Sequence, residues 1–74
     1  HDPVEQRIGR TLLTLHKKFG EEIPLTRQDI ADLVGTTVET AIRTISRFQK
    51  KGWIRSTRGQ IRLVNPDALN ALFS

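Results

Sequence analysis

The chain has 74 residues, no cysteine and a formal net charge of +4. Such a length supports one small domain with a core of roughly a dozen apolar side chains, and without cysteine there is neither a disulfide framework nor a thiolate metal site. No apolar run approaches membrane-spanning length and nothing resembles a signal peptide, so a cytoplasmic chain with no membrane partner is expected. The net charge hides an asymmetry. Residues 1 to 39 carry five Lys/Arg against seven Asp/Glu, a balance of −2, whereas residues 40 to 74 carry seven basic residues against Asp67 alone, a balance of +6. A one-sided basic half is what a polyanion-binding surface needs, and a merely soluble basic surface explains the segregation less well.

His1-Asp2-Pro3 reads as a frayed start at the edge of an excised piece, with Pro3 suited to a first helical turn. Ile8, Leu12, Leu15 and Phe19 recur at helical spacing and predict an amphipathic helix over residues 3 to 19, with Val4 and Leu13 at its margins and Gly20 at its end. His16 has no His, Cys or carboxylate at ligand spacing and reads as a surface or boundary residue. Ile23-Pro24-Leu25 adds a short extended edge.

From Leu25 to Gly52 the chain reads as two helices joined by a tight turn. Thr26 caps the first, with Asp29 as acidic partner, and Ile30, Leu33 and Val34 supply its packed face over residues 26 to 34. Gly35 ends it in the left-handed conformation, Thr36 and Thr37 offer a new cap, and a second helix over residues 37 to 51 stops at Gly52. Helix, glycine-containing turn, helix is the helix-turn-helix signature. At roughly 100° per residue, Ala41, Ile45 and Phe48 fall within about 60° of one another and face the core. Glu39, Arg43, Ser46 and Lys50 lie opposite, as a solvated face or as a reading face. The preceding helix and turn, the charge segregation and the hairpin that follows favour the second.

Trp53 to Val64 reads as a hairpin turning at Arg58-Gly59. Pairing Thr57 with Gln60 puts Ile54 opposite Leu63 and Ser56 opposite Ile61 on one face, and Arg55 opposite Arg62 on the other. Like charges directly across a ladder are unfavourable, and make more sense with phosphates alongside, although solvent exposure also tolerates them. Asn65-Pro66-Asp67 then caps a short helix over residues 66 to 73 with Leu69, Leu72 and Phe73 as its apolar stripe. The fold class is mainly α with a small β-hairpin wing, a winged helix-turn-helix occupying residues 1 to 74 as one unit. No Gly-rich phosphate loop, paired carboxylates or nucleophile beside a histidine is present, so an enzyme is not expected.

Across almost its whole length the chain resembles the C-terminal winged-helix domain of the cyclic-AMP receptor protein/FNR family of bacterial transcription regulators. The resemblance rests on Leu25-Thr26-Arg27-Gln28-Asp29-Ile30-Ala31, on Gly35 to Thr40 with Arg43, on Arg47-Phe48-Gln49-Lys50-Lys51-Gly52, and on Asn65-Pro66-Asp67-Ala68-Leu69. It implies that the second helix enters the major groove of double-stranded DNA, with Glu39 accepting from a cytosine amino group and Arg43 donating to guanine. Thr26, Arg27, Gln28, Thr37 and Thr40 match phosphate-contacting positions, where ordinary capping is the competing role. Ser46, Arg47, Thr57 and Arg58 are further candidate phosphate contacts. Val38 stands where the cyclic-AMP receptor protein carries a second guanine-reading arginine, and Ile42 where FNR itself has a base-contacting serine; Ile42 either touches a thymine methyl or packs at the core edge. The operator implied is an inverted repeat with roughly the TGA core common to the family. Family members add an N-terminal sensor barrel for an effector and a dimerisation helix, neither of which fits in 74 residues. The expectations are therefore no cofactor in this domain, a homodimer and an RNA polymerase contact for a full-length regulator, and a monomeric, weakly binding isolated domain. A winged helix for protein contacts and a nonspecific nucleic-acid binder are the alternatives. The polar second helix speaks against the first, and Glu39 against the second.

Overall fold

Helix α1 (Pro3–Phe19) begins on a proline, which sacrifices no bonded amide in a first turn, and ends where Gly20 turns left-handed at φ 85°. The computed structural model describes residues 3–73; the frayed start expected at His1 and Asp2 lies outside the described residues. After α1 come strand β1 (Glu22–Ile23), helices α2 (Arg27–Val34) and α3 (Val38–Lys50), strands β2 (Ile54–Thr57) and β3 (Gln60–Leu63), and helix α4 (Pro66–Phe73). The architecture is a winged helix-turn-helix, and each expected helix is present to within a residue at either end. His16 is half-buried in the last turn of α1, where its Nδ1 donates to the Gly20 carbonyl oxygen at 2.9 Å. No helix among the described residues is long and apolar enough to cross a membrane.

The sheet is antiparallel with strand order β1-β3-β2. The hairpin takes the register expected from its turn, Thr57 opposite Gln60 and Arg55 opposite Arg62. The short edge differs from expectation. It is built from Glu22 and Ile23, opposite Arg62 and Ile61, and not from Pro24 and Leu25. Pro24 has no amide to give a ladder, and the Leu25 amide folds back to the Ile23 carbonyl at 2.8 Å.

Thirteen apolar side chains are buried among the described residues, close to the dozen that the length allows. Ile8 and Leu12 of α1, Ile30 of α2, Ala41, Ile45 and Phe48 of α3, and Ile54, Ile61 and Leu63 of the hairpin are all inside. Leu15 and Val34 pack half-buried against this core, and three expected core residues are exposed. Phe19 is 43 % exposed, Leu33 59 % and Leu72 55 %. Phe19 sits on the last turn of α1, and Leu33 turns to the outer side of α2 beside Leu25, Asp29 and Asp32 while Ala31 takes the inner place. Leu72 lies off the line by which Leu69 and Phe73 pack inward.

The buried Gly9 was not anticipated. A Cβ built on it would lie 2.5 Å from the Cγ and Cδ2 atoms of Phe73, so the absent side chain is what lets α4 lie against α1. In an open helix interior, Gly to Ala gains about 1 kcal/mol. Here the sign should reverse: Gly9→Ala is expected to lose about 1–3 kcal/mol through overpacking, measured as the shift of the urea midpoint.

Candidate nucleic-acid interface

The two helices at the centre of the interface are fixed by their caps. The Asp29 amide donates to Thr26 Oγ1 at 3.1 Å and the Thr26 amide donates to Asp29 Oδ2 at 2.9 Å, a reciprocal capping box. Gly35 follows α2 at φ 73°, ψ 43°, a left-handed conformation that a Cβ would disfavour. Two residues later Thr37 caps α3, accepting from the Thr40 amide at 3.2 Å while its own hydroxyl donates to Thr40 Oγ1 at 3.0 Å. The chain thus turns from one helix into the next in three residues, and both helices begin with a threonine oxygen on their free amides.

Helix α3 presents four faces. Ala41, Thr44, Ile45 and Phe48 are buried; Thr44 is a polar member of this face that hydrophobic spacing did not reveal. Glu39, Arg43, Ser46 and Lys50 stand on the opposite side, all exposed. One flank turns to α1, where Arg47 Nη1 lies 3.1 Å from Glu5 Oε2. The other turns to the wing. There Val38 and Ile42, with Thr26, Arg27, Gln28 and residues 56–59, line an open groove of about 350 Å³. Ile42 is 41 % exposed, so it lines this groove and does not pack in the core.

The fold therefore gathers most of the residues singled out in the sequence. Thr26, Arg27, Gln28, Val38, Ile42, Thr57 and Arg58 surround one groove, and Glu39, Arg43 and Ser46 occupy the adjoining face of α3. Thr37 and Thr40 mark the α3 N-terminus, where unpaired amides and the helix dipole favour an anion. Arg47 stands apart on the α1 side. On the far face of the sheet, the Arg55–Arg62 opposition is offset within the fold. Glu22 is the other cross-strand neighbour of Arg62, and Glu21 Oε2 lies 3.4 Å from its Nη2. That pair is exposed and worth at most about 1 kcal/mol.

Two contacts missed in the sequence tie the groove together at Ser56, which lines it. The Ser56 amide donates to Gln49 Oε1 at 2.6 Å, and Arg27 Nη1 donates to Ser56 Oγ at 3.0 Å. The helical angle of Gln49, between those of Val38 and Ile42, was a signal available beforehand.

The family profile of the Crp-like helix-turn-helix domain matches residues 6–72. The chain belongs to this family. Over 77 aligned residues this Crp-like domain is 34 % identical to the fumarate and nitrate reduction regulatory protein of Salmonella typhimurium, covering 93 % of the chain and 31 % of that protein. Over 50 residues it is 42 % identical to the nitrogen fixation regulation protein FixK of Bradyrhizobium diazoefficiens, covering 68 % of the chain and 21 % of that protein. The chain thus spans less than a third of the curated relatives it matches. Among solved structures, a CRP/FNR-family regulator from Eubacterium rectale superposes with a TM-score of 0.86 at 28 % identity, covering 92 % of the chain and 32 % of that structure. One from Thermus thermophilus superposes at 0.81 and 29 % identity, covering 92 % and 39 %.

Because the α2 cap also sets where Arg27 and Gln28 begin, Thr26→Ala should lower the stability of the Crp-like domain by about 1 kcal/mol. A denaturant titration followed by circular dichroism would measure it, and an unchanged midpoint would mean that water replaces the cap.

Proposed function

We propose that this domain is the sequence-specific double-stranded-DNA-binding output module of a bacterial transcription regulator acting in the cytoplasm. Helix α3 enters the major groove and the β2–β3 hairpin lies on the backbone. The observation that carries this reading is the state of Glu39 and Arg43. They stand four residues apart on the outer face of α3, the spacing at which a glutamate and a basic residue commonly pair. Both are exposed, and among the described residues neither makes a side-chain hydrogen bond or ion pair. A carboxylate free to accept from cytosine beside a guanidinium free to donate to guanine matches the edges of G·C pairs. A nonspecific backbone binder gains nothing from Glu39, which repels phosphate, and a protein-docking helix would want an apolar outer face in place of this polar one.

Around that pair the remaining roles follow from chemistry. Val38 and Ile42 offer apolar surface to a thymine methyl at the wing side of the groove. Thr26, Arg27, Gln28, Thr37, Thr40 and Ser46, with Thr57 and Arg58 on the wing, hold phosphates and set the register. Arg47 would have to leave Glu5 to take part. A longer regulator would supply a sensor region with its effector, a dimerisation helix, a second copy on the other half of an inverted-repeat operator, and a contact to RNA polymerase. A single domain reads one half-site and binds more weakly.

Fluorescence anisotropy against a duplex with two inverted TGA-containing half-sites, and against one with the G·C pair of each replaced, tests the reading. The intact site should bind tighter by about 1–3 kcal/mol per altered pair, and Glu39→Ala or Arg43→Ala should erase the gap. Equal binding of both duplexes would leave a basic winged helix without base readout. In a salt series, Arg58→Ala should lower the slope of log K against log salt by about 1 while leaving the preference for the intact site in place.

A further inference from the structure

We propose that Ser56, Gln49 and Arg27 form a clasp that sets the wing tip at a fixed height over the reading face of α3, making Gln49 and Ser56 positioning residues for DNA binding. This rests on the reading given under Proposed function. Along β2 and β3 the inward-facing residues are Ile54, Ser56, Ile61 and Leu63, and of these only Ser56 is polar and half-buried while the rest are buried. Hydrophobic packing therefore holds the base of the hairpin and all of β3's inward face through Ile61, while on β2 the last inward position before the turn, Ser56, is held by polar contacts.

Those contacts run to both helices of the helix-turn-helix. The Ser56 amide donates to Gln49 Oε1 of α3 at 2.6 Å, and its hydroxyl accepts from Arg27 Nη1 of α2 at 3.0 Å. The next two residues are Thr57 and Arg58, the wing's candidate phosphate contacts, and Arg58 shares the groove with Val38 and Ile42. With the clasp closed, the distance from Arg58 to the outer face of α3 is fixed before DNA arrives, so base and backbone contacts are made in one register without ordering the wing at the moment of binding. Arg27 keeps further guanidinium donors for a phosphate while holding Ser56.

The test uses Gln49→Ala, Ser56→Ala and Ser56→Thr in the 74-residue chain, each first shown to melt cooperatively near the parent's temperature. Without DNA, Gln49→Ala should make the Ser56 amide exchange its hydrogen on the order of fivefold faster, the loss of one net hydrogen bond. An unchanged exchange rate overturns the clasp whatever the DNA result. With the two-half-site duplex, Gln49→Ala and Ser56→Ala should each weaken binding roughly 3- to 10-fold, the range set by one hydrogen bond of positioning. Ser56→Thr, which keeps the hydroxyl, should restore it. Adding Arg58→Ala to Gln49→Ala should cost less than Arg58→Ala alone, since the arginine is already mispositioned. Equal costs in the two backgrounds would show that Arg58 finds its phosphate unaided and would overturn the positioning role. A parent domain that binds no DNA would defeat the reading beneath the proposal and its functional half, while hydrogen exchange would still decide whether the clasp exists.

Discussion

Phe48 lies on the inner face of α3, near its C-terminal end, and its ring meets Trp53 at 5.5 Å and Phe73 at 5.3 Å. Trp53 and Phe73 are themselves 6.3 Å apart, edge to face. One fully buried ring thus ties α3 to the start of the wing and to the last helix, in the tilted geometries that aromatic quadrupoles favour. Phe73 in turn rests on the bare backbone of Gly9, so the grip on α3 extends through α4 to α1. Because α3 is secured from behind, its outer face is not required for stability. That is the condition under which Glu39 and Arg43 can be left without partners.

The charge segregation of the sequence becomes a spatial sorting in the fold. Two of the seven basic residues in the second half, Arg47 and Arg62, meet Glu5 and Glu21 from the acidic half, and both do so away from the wing groove. Arg43 and Arg58 remain on the face or groove that would meet nucleic acid. Arg27, a cation from the acidic half, is carried to the same groove because the capping box starts α2 there. Glu5 and Glu21 thus offset positive charge on the sides away from where α3 and the wing meet.

Most of this was legible in the sequence because local chemistry decided it. Thr26, Gly35 and Thr37 bracket the helix-turn-helix through caps and one left-handed turn, and Arg58-Gly59 sets the hairpin register, all within a few residues of chain. What escaped depended on distant partners. Leu33 and Leu72 have helical spacing, yet whether a flank position is covered depends on where a neighbouring element ends. Gly9 carries no local signal of its role, because the side chain that needs its space, Phe73, lies sixty-four residues on. In the candidate site, the exposure of Glu39 and Arg43 is legible in the sequence because one helix defines a face. The Ser56 contacts to Gln49 and Arg27 join three elements; the helical angle of Gln49 marks its flank of α3, but no single element shows which partner it meets.

The contact between Ser56 and Gln49 has a second consequence, for the edge of the sheet. Strand β2 lies at one margin, and Ser56 points its amide away from β3, on the side where a further strand would pair. Gln49 occupies that amide. At the opposite margin β1 is two residues long and is followed by Pro24, which has no amide to offer a visiting chain. The same Gln49 side chain that meets the wing thus also covers the β2 amide that the hairpin leaves facing outward at Ser56.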